Sequence, residues 1–112
     1  MQEEWKKIEE YPKYEVSNTG QVRNSKGVIL RPQPNAKNNY FQVLLWKNSK
    51  AKCCYVHRLV AEAFVEREND KQIYVWFKDD NVQNNNANNL YWKDVKRNNN
   101  LKAKEDGKKY FG

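Results

Sequence analysis

The stretch Gln72–Trp92, QIYVWFKDDNVQNNNANNLYW, decides the fold of this 112-residue chain. It opens on an apolar run, Ile73–Phe77, passes through a polar turn and an Asn-dense segment, and closes on Tyr91-Trp92. Two short apolar runs bounded by turn-forming residues predict two paired strands joined by a loop. Asp94 suits the N-cap of a final helix from Val95 to about Lys104. The stretch therefore predicts a strand, a loop, a strand and a helix.

Just upstream, His57–Phe64 has the periodicity of a helix. Leu59, Val60, Ala63 and Phe64 are offset from one another by one, four and five positions, so they fall on one helical face. A charged loop then leads into the decisive stretch.

The first half of the chain alternates short apolar runs with turn residues, which is typical of an antiparallel sheet. Residues 1–13 are the exception, because Trp5, Ile8 and Tyr11 have helical or turn spacing and Pro12 ends the pattern. Elsewhere we expect strands that form one antiparallel meander: Tyr14–Val16, Gln21–Arg23, Val28–Leu30, Tyr40–Trp46 and Lys52–Val56.

The composition fits one small domain, or two very small modules that share a core. Aromatic residues make up 13% of the chain and can supply much of the buried area. No window resembles a membrane helix, and the N-terminus lacks the features of a signal peptide, so a cytoplasmic protein is expected. Adjacent Cys53 and Cys54 with a single histidine, His57, indicate neither a disulfide framework nor a zinc site. No cofactor is predicted; the cysteines are expected to be buried or half-buried strand thiols.

The charge is unevenly distributed along the chain, whose net charge is +7. Between Val16 and Ala61 there is no acidic residue, whereas residues 65–92 carry more acidic than basic side chains. A long basic segment predicts a polyanionic partner, and double-stranded DNA is the partner that we expect. The predicted phosphate contacts are the eight basic residues of that segment: Arg23, Lys26, Arg31, Lys37, Lys47, Lys50, Lys52 and Arg58.

Polar side chains on the same strands and turns are candidates for contacts with base edges. Gln21, Gln42, Asn18 and Asn24 can each donate and accept hydrogen bonds. With about six phosphate contacts, the affinity for DNA should fall roughly a thousandfold between about 50 and 200 mM salt.

Several motifs resemble the phage HNH homing endonuclease family. Trp5-Lys6 and Tyr14–Arg23 resemble its NUMOD-type N-terminal module, and Val56–Phe64 resembles the helix that opens its nuclease domain. Further residues match the nuclease core at unbroken spacing: Asp79, Asn81, Asn84, Asn85, Asn89, Leu90 and Trp92.

The resemblance implies an α+β fold, with a small antiparallel sheet meander followed by a helix and a ββα-metal (HNH-like) unit. It implies a DNA-binding NUMOD-like module over residues 1–52 and a degenerate HNH-like unit over residues 53–104. Residues 105–112 are expected to be a flexible basic tail.

The resemblance also implies roles at the degenerate site. Trp76 stands where the family has a metal-binding Asp or Asn, and Phe77 where it has the histidine that activates water. Asn89 would brace the loop, and Asn98 would complete the metal site from the final helix. Asp80 stands where the family usually has a glycine in the turn.

The chain departs from the family pattern at the positions that the resemblance implies for metal binding and water activation. Neither Trp76 nor Phe77 can bind a metal or accept a proton from water. From this we expect no catalytic residue, no metal and no enzyme activity, although Asp79 and Asp80 remain a possible substitute metal pair. Strand alternation should bury one of Trp76 and Phe77 and expose the other. The exposed ring could stack on a base or bind a protein, while His57 is expected to pack or contact phosphate.

Three functions remain open on the sequence alone. The first is an inactive HNH-like protein that occupies double-stranded DNA. The second is a phage-encoded inhibitor that uses the same scaffold to bind a host protein, such as a defence nuclease, in the host cytoplasm. The third is an active nuclease with rearranged ligands. The sequence does not fix the oligomeric state.

Overall fold

The computed structural model describes residues 2–69 and 71–94. Within them, eight strands form three small antiparallel sheets around one α-helix, and a short 3-10 helix, Ala87–Asn89, precedes the last strand. The α+β class and the HNH-like order of elements are confirmed. In chain order the elements are β1 (Trp5–Ile8), β2 (Tyr11–Ser17), β3 (Val22–Asn24), β4 (Gln33–Pro34), β5 (Phe41–Lys47), β6 (Lys50–Tyr55), α1 (Val56–Phe64), β7 (Gln72–Phe77) and β8 (Leu90–Asp94).

The N-terminal segment is a strand hairpin, where the sequence predicted helical or turn spacing. β1 pairs with β2, from Trp5 opposite Ser17 to Ile8 opposite Tyr11. The register shifts between Lys7 and Ile8, which leaves Pro12 within the irregular part of β2. A proline lacks the N–H that a regular ladder needs, so the bulge accommodates it. Pairing with β2, rather than local periodicity, therefore sets the structure of residues 5–8.

The first-half strands divide between two sheets instead of forming one meander. Sheet order is β1-β2-β3 in the first and β4-β5-β6 in the second. The expected strand at residues 28–30 makes only an isolated bridge, between Ile29 and Arg23. The chain then leaves the first sheet, and Gln33–Pro34 pairs with β5 in the second sheet.

Helix α1 lies at the centre of a core to which all three sheets contribute. Val56, Leu59, Val60 and Ala61 are its buried apolar side chains. The predicted stripe is half right, because Ala63 and Phe64 pack at the edge of the core instead of inside it. The sheets add these buried residues: Ile8, Val16, Val22, Val43, Leu45, Phe77, Leu90 and Trp92.

The remaining expectations concern the C-terminal part and the cysteines. β8 continues to Asp94, and the predicted final helix with Asn98 lies outside the described residues. Cys53 is exposed on β6, contrary to the expectation of a buried or half-buried thiol, whereas Cys54 is half-buried. Within residues 2–69 and 71–94, no helix is long and apolar enough to cross a membrane.

Candidate functional site

The β7–β8 hairpin separates the two aromatic residues at the degenerate positions. Trp76 pairs with Tyr91, and Phe77 pairs with Leu90. Successive side chains in a strand point to opposite faces. Trp76 is 42% exposed, whereas Phe77 is 5% exposed and belongs to the core. The predicted alternation is confirmed, and Trp76 is the ring that faces outward.

Phe77 packs against the only histidine. Its ring centroid lies 5.0 Å from that of His57, and Tyr40 contacts both rings. Burial, with a further contribution from the Arg58 charge, lowers the pKa of His57 to about 4. The imidazole is therefore neutral at pH 7, and its buried Nδ1 has no hydrogen-bond partner among the described residues. These contacts make His57 a packing residue at the start of α1.

A hydrogen-bond network holds the loop between β7 and β8. The Asn89 side-chain amide donates to Asp79 Oδ1 at 2.9 Å and to the Asn84 carbonyl at 3.0 Å, and its own Oδ1 accepts from the Asp79 N–H. Asn84 Nδ2 donates to the other Asp79 oxygen at 2.9 Å. The hydrogen bonds from Asn84, Asn81 and Asn89 lower the pKa of the Asp79 carboxyl. Asn89 thus braces the loop through its side chain.

The turn after β7 places Asp80, where the resemblance implies a glycine, in the left-handed region of the backbone. Asp80 has a positive φ of 62°. Few residues other than glycine, asparagine and aspartate adopt this conformation easily. Asp80 is therefore one of the residue types that this turn conformation tolerates.

The described residues do not fit a divalent metal ion. Trp76 and Phe77 have no ligand atom for a hard cation, which takes oxygen ligands. The Asp79 carboxylate is already hydrogen-bonded by the loop. In residues 2–69 and 71–94, no three acidic, histidine or cysteine side chains are grouped to hold a metal. Asn98, the remaining expected ligand, lies outside these ranges.

Three of the eight predicted phosphate contacts are engaged within the protein. Arg23 forms a salt bridge of 2.7 Å with Glu15 and lies 3.9 Å from the centroid of the Trp5 ring. Lys47 Nζ donates to the Glu10 carbonyl. Arg58 donates to the Ile73 carbonyl at 2.8 Å and lies 3.5 Å from Glu62. Their charges are therefore partly satisfied without a ligand.

The other five are exposed and make no salt bridge within the described residues. They occupy the turn after β3, the connector on either side of β4, and β6. An exposed cation without a carboxylate partner is available to a polyanion. These five are Lys26, Arg31, Lys37, Lys50 and Lys52.

The candidate base-reading side chains all make hydrogen bonds within the chain. Gln21 donates to Glu3 at 2.8 Å, and Asn24 Oδ1 accepts from the Lys26 and Val28 N–H groups. Gln42 pairs with Asn35, and Asn18 Oδ1 accepts from the Glu4 N–H at 3.0 Å. These bonds engage the Gln21 amide nitrogen and the amide oxygens of Asn24 and Gln42, so the other end of each of these amides makes none of these bonds.

Sequence reasoning missed the neighbours of Trp76. Tyr74 and Tyr91 are 40% and 38% exposed, and Lys93 Nζ lies 4.6 Å from the centroid of the Trp76 ring. Tyr74 pairs with Lys93 across the hairpin. Tyr74 and Trp76 are two positions apart, as are Tyr91 and Lys93. This spacing predicts that the two residues of each pair lie on the same face of their strand.

Comparison with known proteins agrees with this architecture. The NUMOD4 motif matches residues 3–46. The chain is 43% identical over 91 residues to DNA endonuclease I-HmuI of Bacillus phage SP01, covering 80% of this chain and 51% of that protein. The chain is a NUMOD4-containing relative of the HNH homing endonucleases. A solved structure, of DNA binding and cleavage by the HNH homing endonuclease I-HmuI, matches this HNH relative with a TM-score of 0.74.

The structural match has 41% sequence identity and covers 81% of this chain and 52% of the other. An uncharacterized HNH endonuclease of Acanthamoeba polyphaga mimivirus is 40% identical over 112 residues, which is 99% of this chain and 33% of that protein. This HNH relative thus spans about a third to half of the length of these two proteins.

These comparisons correct one expectation. The replacement of two site residues by Trp76 and Phe77 predicted that the chain is not an enzyme. That prediction is wrong, because the relatives are named HNH endonucleases and I-HmuI is a homing endonuclease.

Proposed function

We propose that this chain binds double-stranded DNA through the exposed basic residues of its N-terminal part, residues 1–52. The observation that carries the proposal is that five of the eight predicted phosphate contacts are exposed and form no salt bridge with the described residues. They are Lys26, Arg31, Lys37, Lys50 and Lys52. Similarity to I-HmuI, whose DNA binding has been studied structurally, supports the same partner.

Counterion release supplies the driving force for this contact. Each cation that neutralises a phosphate releases condensed counterions, so the logarithm of affinity falls with the logarithm of salt concentration by about 0.9 per contact. Five contacts correspond to a loss of affinity of about 500-fold between about 50 and 200 mM salt. This loss is smaller than the sequence alone predicts, because Arg23, Lys47 and Arg58 are engaged within the protein.

A salt titration of binding to an intact blunt duplex tests the proposal. Fluorescence anisotropy of a labelled duplex, recorded at several salt concentrations, gives the slope directly. A slope near −4.5 is expected from the five exposed cations. A slope near zero, or no binding at low salt, would show that these residues do not contact phosphates.

The relatives are named endonucleases, so DNA strand cleavage is the activity that we infer for this chain by similarity. No cleavage step is derived from the described residues, because they do not fit a metal ion. Incubation of supercoiled plasmid with the full chain and Mn²⁺ measures cleavage directly, with I-HmuI as the positive control. Nicking that disappears in Asp79→Ala would assign the loop carboxylate to the reaction.

Binding to a host protein is the second candidate function. The observation that favours it is the exposed aromatic surface formed by Tyr74, Trp76 and Tyr91, since aromatic side chains are enriched in protein interfaces. The same surface suits nucleic acid, and the DNA substrates described below distinguish the two partners.

A further inference from the structure

The outer face of the β7–β8 hairpin carries a compact aromatic and cationic surface. Tyr74 lies opposite Lys93, and Trp76 lies opposite Tyr91, so the four residues form two adjacent cross-strand pairs. Cross-strand Cβ atoms lie about 4.5–5.5 Å apart, so the two members of each pair are neighbours on one face of the hairpin. We call these four residues the aromatic face.

The core does not account for the aromatic face. Val75, Phe77, Leu90 and Trp92 fill the opposite side of the hairpin and pack inward. The three outward rings keep 38–42% of their surface accessible within the described part of the chain. Large apolar side chains grouped on a surface typically mark a binding site. A ligand that covers these rings would therefore gain contact without disturbing the fold.

The charges around this surface favour an anionic ligand. Lys93 lies over the Trp76 ring at 4.6 Å. The single carboxylate on the two strands, Asp94, follows Lys93 in the chain and pairs with Gln72, at the end of the hairpin away from its turn. The aromatic face itself thus combines flat rings and a cation with no carboxylate.

We propose that the aromatic face binds an unpaired DNA base by stacking on Trp76, with Lys93 contacting the adjacent phosphate. Rings exposed on a sheet beside a cation are the usual platform for single-stranded nucleic acid, because every base offers a flat π surface. The inference rests on the proposed DNA binding and adds a substrate feature to it. A duplex that contains a gap or a displaced strand is the predicted preferred ligand.

The test compares an intact duplex with a duplex of equal length that has a two-nucleotide gap. The unpaired positions carry 2-aminopurine, whose fluorescence falls when the base stacks. We expect the full-length protein to bind the gapped duplex roughly tenfold to a hundredfold more tightly than the intact duplex and to quench the 2-aminopurine.

Variants assign the preference to the aromatic face. Trp76→Ala should abolish both the quenching and the preference, while Trp76→Phe should retain part of each. Lys93→Gln should weaken the preference with the stacking ring still present. Trp46→Ala is the matched control, because Trp46 is 55% exposed on β5, away from this hairpin, and the ratio of the two affinities should stay unchanged.

Several outcomes would overturn the inference. Equal affinity for both duplexes in the wild type refutes base stacking while leaving duplex binding intact. Loss of the preference in Trp46→Ala to the same extent refutes the assigned site. Absence of binding to either duplex overturns the proposed function as well. Equal affinities together with a purified host protein, or a second copy, bound only when Trp76 is present would assign the face to that partner instead.

Discussion

Gly20 lies directly against Asn85. A Cβ built on Gly20 would come 2.9 Å from the Asn85 Cβ and 3.1 Å from its carbonyl oxygen. Beside this contact, the Ala87 N–H donates to the Asn18 carbonyl at 2.8 Å. The turn after β2 therefore packs onto the loop that precedes β8. This contact joins the NUMOD4 segment to the HNH-like part of the chain.

Gly20→Ala is expected to destabilise the protein by about 2–4 kcal/mol. Gly20 has a positive φ of 98°, and an added methyl would collide with Asn85. Gly27→Ala is the matched control, since Gly27 has a φ of 85° but no atom within 4 Å of the added Cβ. It should lose only about 1 kcal/mol, for the backbone conformation. Chemical denaturation measures both values, and equal losses would show that the contact with Asn85 contributes nothing.

His57 is expected to make the protein less stable as the pH falls. Its pKa is about 4 in the folded state, against an ordinary value of 6.5. Between these values the unfolded chain binds a proton that the folded chain does not, so the free energy of unfolding decreases with falling pH. The full shift corresponds to about 3 kcal/mol, present above about pH 6.5 and lost towards pH 4.

Denaturation of the wild type and His57→Phe across this pH range measures the effect. Phenylalanine keeps an aromatic ring among Tyr40, Tyr55 and Phe77 but cannot titrate. The variant should show a shallower loss of stability between about pH 6.5 and pH 4. Parallel pH curves for the two proteins would show that His57 is not the group responsible.

Asn89→Ala is expected to lower the free energy of unfolding by about 2–4 kcal/mol. The change removes three hydrogen bonds that hold Asp79 and Asn84, and it leaves polar groups in the loop without partners. Asn88→Ala is the neighbouring control: its side chain is exposed, and a change within about 0.5 kcal/mol is expected. A loss in Asn88→Ala as large as that in Asn89→Ala would contradict the assignment of the brace.

The sequence predicts the β7–β8 hairpin well but cannot say which of its faces is inside. Apolar runs bounded by turn residues define both strands, and alternation requires that Trp76 and Phe77 face opposite ways. The choice depends on packing, because Phe77 lies against His57 and Tyr40 from two other elements. A single strand's pattern does not contain that information, since it comes from how the elements pack together.

The same reason explains the errors in the N-terminal half. β1 reads Trp-Lys-Lys-Ile, which has no clear period, and it becomes a strand through pairing with β2. The sequence alone predicts that Arg23 is an exposed cation available to phosphate. The antiparallel register instead places it opposite Glu15, which is eight residues away in the chain. Non-local pairing thus changes both the structure and the available charge, whereas the basic composition of the segment is evident from the sequence.

A pair of charge variants gives the most direct test of DNA binding by the N-terminal part. Lys50→Gln/Lys52→Gln removes two exposed cations from β6, and Lys71→Gln/Lys78→Gln removes two exposed cations from the near-neutral central part. Both variants change the net charge equally, so any difference between their salt dependences reflects where the removed charges lie. The measurement is the salt dependence of affinity for an intact duplex. The Lys50/Lys52 variant should lower the magnitude of the slope by about 1.8, whereas the Lys71/Lys78 variant should leave it unchanged. Equal slopes for the two variants would contradict the proposed DNA-binding residues.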